Sequence, residues 1–342
     1  MSKKQIQTRK LIKWGSSKTL IMSLPRQWIK KHDLTEKDEV QVVENPDDTL
    51  LILPAKTSIV EKKSEAEIVV RDESDIETVR YLILTKYIDG WDVLVVVPKR
   101  GLLFGPKYYK TIQELIKHLL GLEIVAVHAQ RIVIHDMFSL QETNVVNLVK
   151  IISQNTLEFF QALIDLVKEP PPNGSLEEAV DRILPNRELI TRYYYRIHRE
   201  LRKSLLKPAT LSRMNMSPQD VLDFAFFINA INSSAENVET QLRTLKTQGI
   251  PKDVDAGEVV AYAQEAYQFF QQGIDSFLFK KTSDAIGCLT QFPEFGERKR
   301  AVENQLDSTP TDTLAYQIML DLIEKIVDAT RTIALAALRR IA

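Results

Sequence analysis

The chain has one cysteine, Cys288, so it forms no internal disulfide, and a lone thiol suits a reducing compartment. It also lacks a charge excess: across 342 residues, 27% of them charged, the formal net charge is −1. That excludes any global attraction to nucleic acid or membrane and leaves only local affinity. No uninterrupted apolar stretch approaches the about 20 residues that a membrane helix needs. Met1–Gln5 runs into polar sequence and not into an apolar signal core. A cytoplasmic protein without membrane insertion is expected. Catalytic spacing is missing as well. No Ser/His/Asp, Cys/His or paired-carboxylate arrangement can be defended, and Cys288 has no basic neighbour in sequence to activate it. The two glycines of Gly101–Tyr109 lack phosphate-loop spacing. The chain is not expected to be an enzyme.

Residues 1–56 differ in composition from the remainder of the chain. Lys3, Lys4, Arg9, Lys10, Lys13, Lys18, Arg26, Lys30 and Lys31 occur with no acid among them. Short β-prone pieces (Gln5–Ile12, Thr19–Leu24, Glu39–Val43, Leu50–Leu53) alternate with turn signals at Gly15-Ser16-Ser17 and Asn45-Pro46-Asp47-Asp48. Pro25 is placed to open a short helix over Arg26–His32. A hairpin unit this small buries too little apolar surface to stand alone, so pairing with a second copy is expected.

This stretch resembles the AbrB-type swapped-hairpin DNA-binding domain. The matching residues are Arg9-Lys10-Leu11, Trp14 through Arg26, Asp38-Glu39-Val40 and a closing strand ending at Leu53-Pro54. It departs where Lys37 stands in place of the family's usual glycine before the acid. The resemblance implies a homodimer with interleaved strands and DNA contacts at Arg9, Lys10, Lys13, Lys18 and Arg26. Clustered cations of this kind neutralise phosphates, and the binding should weaken steeply with salt. The competing reading is a solvated charged face on a dimerisation module.

After a polar linker (57–65), strand and helix signals alternate. Ala66–Val70 reads as a strand, Asp75–Tyr87 as a helix, Trp91–Val97 as a buried strand and Thr111–Leu120 as a helix. Ile124–Val127 and Arg131–Ile134 read as a closing hairpin, giving a small α/β domain over 65–137. His128 and His135 fall in that hairpin, where ordinary hydrogen-bonded histidines are expected.

Residues 138–342 are helical in signal and internally repeated. Ser217-Pro218-Gln219-Asp220 matches Thr309-Pro310-Thr311-Asp312, each a hydroxyl N-cap with Pro at the first helical position and a carboxylate at N3. From those caps one constant offset carries Phe224, Ile228, Ile231, Ala235, Val238, Leu242 and Leu245 onto Tyr316, Leu320, Ile323, Val327, Thr330, Ala334 and Ala337. Steps of four and three put one apolar seam down each helix. Phe159-Phe160-Gln161-x-x-Ile164-Asp165 recurs as Phe269-Phe270-Gln271-x-x-Ile274-Asp275. Pro170–Gly174 stops the first long helix. Ser175 with Glu178 is expected to form a capping box for the next helix, and Pro185 to break or kink that helix. Two duplicated three-helix units, 138–250 and 255–342, are predicted.

That architecture resembles the PhoU family of phosphate-uptake regulators, tandem three-helix bundles of which some carry multinuclear metal clusters. The family's third-helix acidic motif survives as Glu324-x-x-x-Asp328 and is reduced to Asn232-x-x-x-Glu236 in the first unit. Its second-helix motif falls at Glu188–Tyr193, where Arg192 and Tyr193 match but Leu189 and Thr191 replace acids. The resemblance implies a divalent or iron-type metal ion at Glu324 and Asp328, with Glu236 the remnant and Glu294 and Glu297 as extra ligands. Carboxylates at i and i+4 repel by about 0.2–0.5 kcal/mol, which an ion pair to Arg331 would equally relieve. Tyr193-Tyr194-Tyr195 beside Arg196, Arg199 and Arg202 reads as core aromatics flanked by an exposed basic face.

The expected fold is thus multidomain and mainly α: an AbrB-like β-hairpin domain, a small α/β domain and a PhoU-like helical tandem. The expected function is a dimeric DNA-binding regulator of phosphate uptake. The alternative is an adaptor that docks a phosphate transporter or its sensor kinase and uses the N-terminal domain only to dimerise.

Overall fold

The structure is a computed structural model describing residues 8–15, 18–44, 48–54, 63–71, 76–99, 103–138, 144–172, 175–206, 210–211, 214–251, 254–307 and 313–341. It divides into two compact units, Met1–Lys62 and Lys63–Ala342.

In the first unit β1 (Ile12–Lys13) pairs antiparallel with β2 (Leu20–Ile21), and β3 (Val40–Glu44) with β4 (Leu50–Pro54). Between the hairpins in sequence runs α1 (Arg26–Lys31), entered from an extended Pro25. None of its described residues is buried. The Lys37 departure leaves the turn intact. Asp38 accepts hydrogen bonds from the Thr35 backbone N–H at 2.7 Å and the Thr35 hydroxyl at 2.8 Å, and Lys37 keeps a negative φ, so no glycine is required.

The second unit opens with a four-stranded sheet. β5 (Glu65–Val70), β6 (Val93–Pro98), β7 (Leu122–His128) and β8 (Arg131–Asp136) lie in the order β5-β6-β8-β7, parallel only between β5 and β6. α2 (Ile76–Ile88) is the crossover that a parallel pair needs. α3 (Pro106–Lys117) starts earlier than the periodicity suggests, because Gly105 and Pro106 supply the extended entry and the fixed φ of a first turn. Ala66, Ile68, Val70, Leu94, Val96, Ile132 and Ile134 form one core with the inner faces of both helices.

The rest is helical: α4 (Val145–Lys168), α5 (Leu176–Ile183), α6 (Pro185–Leu206), α7 (Pro218–Gln248), α8 (Gly257–Leu278), α9 (Thr282–Asp307) and α10 (Leu314–Ile341). α4, α6 and α7 pack mutually, and so do α8, α9 and α10. The two sets are not separate domains, however. α7 packs along α10 and α4 along α8, and all four close over one continuous core. Every member of both apolar seams is buried, from Phe224 to Leu245 and from Tyr316 to Ala337. Each large aliphatic side chain these seams remove from water contributes about 1.5–3 kcal/mol. Where α8 crosses α10 the backbones approach closely: a Cβ on Gly273 would lie 2.7 Å from the Thr330 methyl.

The predicted Ser217–Asp220 capping box is formed, with Ser217 Oγ accepting from the Asp220 N–H at 3.0 Å and Asp220 accepting from the Ser217 N–H at 2.8 Å. Its counterpart at Thr309–Asp312 lies outside the described residues. The expected box at Ser175 is absent. That hydroxyl turns back to donate to the Pro172 carbonyl at 2.7 Å, and the residue lacks the extended backbone a cap needs. Pro185 does start a new helix, whereas Pro293 is carried inside α9.

The expected basic face on α6 is corrected most sharply. Arg196 and Arg199 are buried against the α/β domain, 1% and 0% exposed, and both grip Asp136 at the end of β8. Arg199 also donates to the Tyr87 carbonyl at 2.7 Å, and Arg196 meets Glu200 at 2.7 Å. Lys203 pairs with Asp92, which in turn accepts from Ser64. Only Arg202, paired with Asp89, stays largely exposed. Tyr193 and Tyr194 pack on the helical core and Tyr195 on the α/β core, so one short stretch of α6 serves both. Three cations facing three carboxylates allow this charge to be buried without an unpaired residue.

Candidate nucleic-acid interface

The five residues expected to touch DNA gather around the first hairpin and the start of α1. Lys13 closes β1 opposite Leu20, and the Trp14 N–H bonds to the Thr19 carbonyl at 3.0 Å, which brings Lys13 and Lys18 to the same hairpin end. Gly15 comes next with φ +59, the left-handed conformation that a glycine adopts without steric cost. Arg9 and Lys10 lead into β1, and Arg26 is the first residue of α1. All five side chains are exposed. Lys30 and Lys31 add charge in the last turn of α1, where cations also complement the helix dipole.

Apolar side chains share this exposure. Leu11, Ile12, Trp14, Leu20, Met22, Val42 and Leu50 are each at least 47% exposed. The described residues of this unit include no buried side chain, an exposure that fits a surface covered by a second copy.

The acidic motifs of the bundle are engaged in ion pairs. Lys299 of α9 reaches Asp321 at 2.6 Å and Glu324 at 2.7 Å. Burial alone would lower the Lys299 ammonium, and the Asp321 and Glu324 hydrogen bonds more than reverse that, so it stays charged well above its ordinary range. In the first set Arg187 of α6 takes the same part, reaching Glu236 at 3.1 Å and Glu239 at 3.2 Å, while Asn232 donates to Glu236 at 2.8 Å. Each second helix therefore offers a cation to the acids of its third helix. Arg331, the expected partner, instead places its guanidinium 5.0 Å from the Phe292 ring centre. Asp328 is left with a raised carboxyl, through burial and then through Glu324. Among the described residues no three carboxylate, histidine or cysteine side chains are placed to hold a metal ion: Glu303, Asp321 and Glu324 surround the Lys299 ammonium instead, and this donor set fits ion pairs better than a bridging metal. Glu294 and Glu297 are exposed on α9 and do not join the Lys299 ion pairs.

His128 and His135 share a sheet face but pair with Arg131 and Glu123 at opposite ends of the β7–β8 ladder, roughly 13 Å apart along the strand. They cannot hold one ion together. Cys288 is buried, and its thiol is pushed up to about 11 by that burial and then by Asp284. No described helix is long and apolar enough to cross a membrane.

A family model described as antidote-toxin recognition MazE, bacterial antitoxin, matches residues 13–60. No curated protein and no solved structure matches the chain. The match runs from Lys13, the last residue of β1, through β4, and stops short of the four-stranded sheet and the bundle, so the N-terminal hairpin unit is similar over those residues to a MazE-type antitoxin domain.

Proposed function

We propose that this protein is a dimeric, cytoplasmic DNA-binding regulator of phosphate uptake. The observation that carries the DNA-binding part is the cationic hairpin unit with no buried side chain among its described residues, supported by the MazE match over 13–60, which takes in Lys13, Lys18 and Arg26 but not Arg9 and Lys10. Two copies interleave their hairpins, cover the exposed apolar set and present Arg9, Lys10, Lys13, Lys18 and Arg26 to phosphates. The phosphate-specific part draws on the duplicated seams and helix order that resemble PhoU. In this reading the second unit couples to the first: a signal that favours one arrangement of the second unit shifts the dimer's DNA affinity.

The description "antidote-toxin recognition" favours a second reading, in which the hairpin unit holds a protein and the chain is an adaptor for a phosphate transporter or its sensor kinase. Genome-wide mapping of bound DNA under phosphate excess and starvation separates the two. The regulator gives enriched sites upstream of phosphate-uptake operons whose occupancy changes with phosphate. An adaptor gives no enriched sites in either condition.

A further inference from the structure

Between α3, the edge strand β7 and α6 lies an open cleft of about 440 Å³. Lys117 of α3 and Arg192 of α6 both line it. Arg192 is the exception on its helix. Arg187, Arg196, Arg199 and Arg202 each meet a carboxylate, whereas Arg192 makes no hydrogen bond or ion pair among the described residues. Its Nε is buried with no acceptor among the described residues, so the guanidinium is not committed to a partner there. Lys117 has no carboxylate partner among the described residues either. Gln113 and Tyr109 add an amide and a hydroxyl on the same wall.

Two unpaired cations beside uncharged donors call for an acceptor-rich anion. A phosphoryl group carries close to two negative charges at neutral pH and matches both, while a lone carboxylate balances only one. The volume exceeds that of a bare tetrahedral oxyanion and falls in the range of small-molecule sites. Ile116 and Ile124 offer apolar surface for an organic body. Glu123, the one carboxylate in the lining, is an acceptor for a hydroxyl of that body. The same α6 that supplies Arg192 is clamped to Asp136 four residues further on, so occupancy bears directly on the junction of sheet and bundle.

We propose that this cleft binds a small phosphate monoester, with Arg192 and Lys117 taking the phosphoryl oxygens. The proposal leans on the regulatory reading only for what the ligand would control, because binding is measured without DNA. Isothermal titration of the full chain with AMP, ribose 5-phosphate, inorganic phosphate and adenosine tests it. At least one ester should saturate in the millimolar range or tighter, adenosine should not, and inorganic phosphate should bind more weakly than that ester. Lys117→Met, on an exposed side chain, should keep the wild-type melting curve, and both it and Arg192→Met should weaken the ester by about tenfold or more. Failure of both esters to saturate, or equal binding by wild type and both variants, would overturn the proposal. So would inorganic phosphate binding as tightly as the esters.

Discussion

Asp136 and Arg199 form an ion pair through one carboxylate oxygen: Arg199 Nε donates to Asp136 Oδ2 at 3.0 Å and Nη2 lies 2.7 Å from the same atom, with side chains 2% and 0% exposed. The carboxylate's second oxygen is held by Arg196 at 2.9 Å, so one acid at the end of β8 anchors two arginines of α6. Asp136→Ala would leave the buried Arg199 with only Asp92 at 3.7 Å for charge balance and Arg196 with only Glu200. A loss of about 3–5 kcal/mol is expected in denaturant melts. Adding Arg199→Met to Asp136→Ala should recover part of that loss, because the unpaired cation costs more than the missing pair contributes. A single-variant loss near zero would mean that the junction does not exclude water.

The acid limb of stability should report Asp92. Burial by itself would raise this carboxyl, but the Lys203 and Ser64 hydrogen bonds outweigh it and hold the folded value at about 2 against 3.8 unfolded. Its contribution is therefore complete above about pH 4 and is lost as the pH falls toward 2, about 2 kcal/mol in all. Asp92→Asn should flatten the stability curve across that window, measured by chemical denaturation at each pH. An unchanged slope would show that Asp92 is not paired.

Two glycines are expected to resist alanine for different reasons. Gly121 has φ +94, and a Cβ there would lie 2.8 Å from Asp136 Oδ1 and 2.9 Å from Arg196 Nη1. Gly121→Ala should therefore combine backbone strain with damage to the buried ion pair and lower the melting temperature more than Gly273→Ala. At Gly273 the backbone is ordinary helix and the obstacle is the Thr330 methyl, an overpacking cost of about 1–3 kcal/mol. Gly273→Ala paired with Thr330→Ser, which removes that methyl, should restore much of the loss.

The seams are legible in the sequence because helical periodicity is local. Phe224, Ile228 and Ile231 announce a buried stripe without knowledge of what covers it, and the same holds for the alternation of β5. What covers the stripe is not legible. Nothing in the spacing of Tyr316 or Phe224 says that the two seams close over a common core in place of two. The pairing of charges is hidden for the same reason. Arg196 and Arg199 look like an exposed basic face until Asp136, far away in sequence, is brought beneath them. Arg331 stands one turn from Asp328 and is the natural partner by sequence, yet Lys299 from another helix relieves the acids of α10. The grouping of the five exposed cations is readable because the hairpin unit is short and they lie close in sequence. Arg192 stands out in the sequence only as a motif match, since an unpaired donor becomes visible once its neighbours on α6 are seen to be engaged.

DNA binding by the hairpin unit is measured most directly by fluorescence anisotropy of a labelled duplex titrated with the full chain across a salt series. Binding is expected at low salt, with the logarithm of the association constant falling linearly against that of salt concentration. Lys13→Ala should make that slope shallower by about 2, one lost phosphate contact from each protomer of the dimer. No binding at low salt, or a slope that Lys13→Ala and Arg26→Ala both leave unchanged, would contradict it.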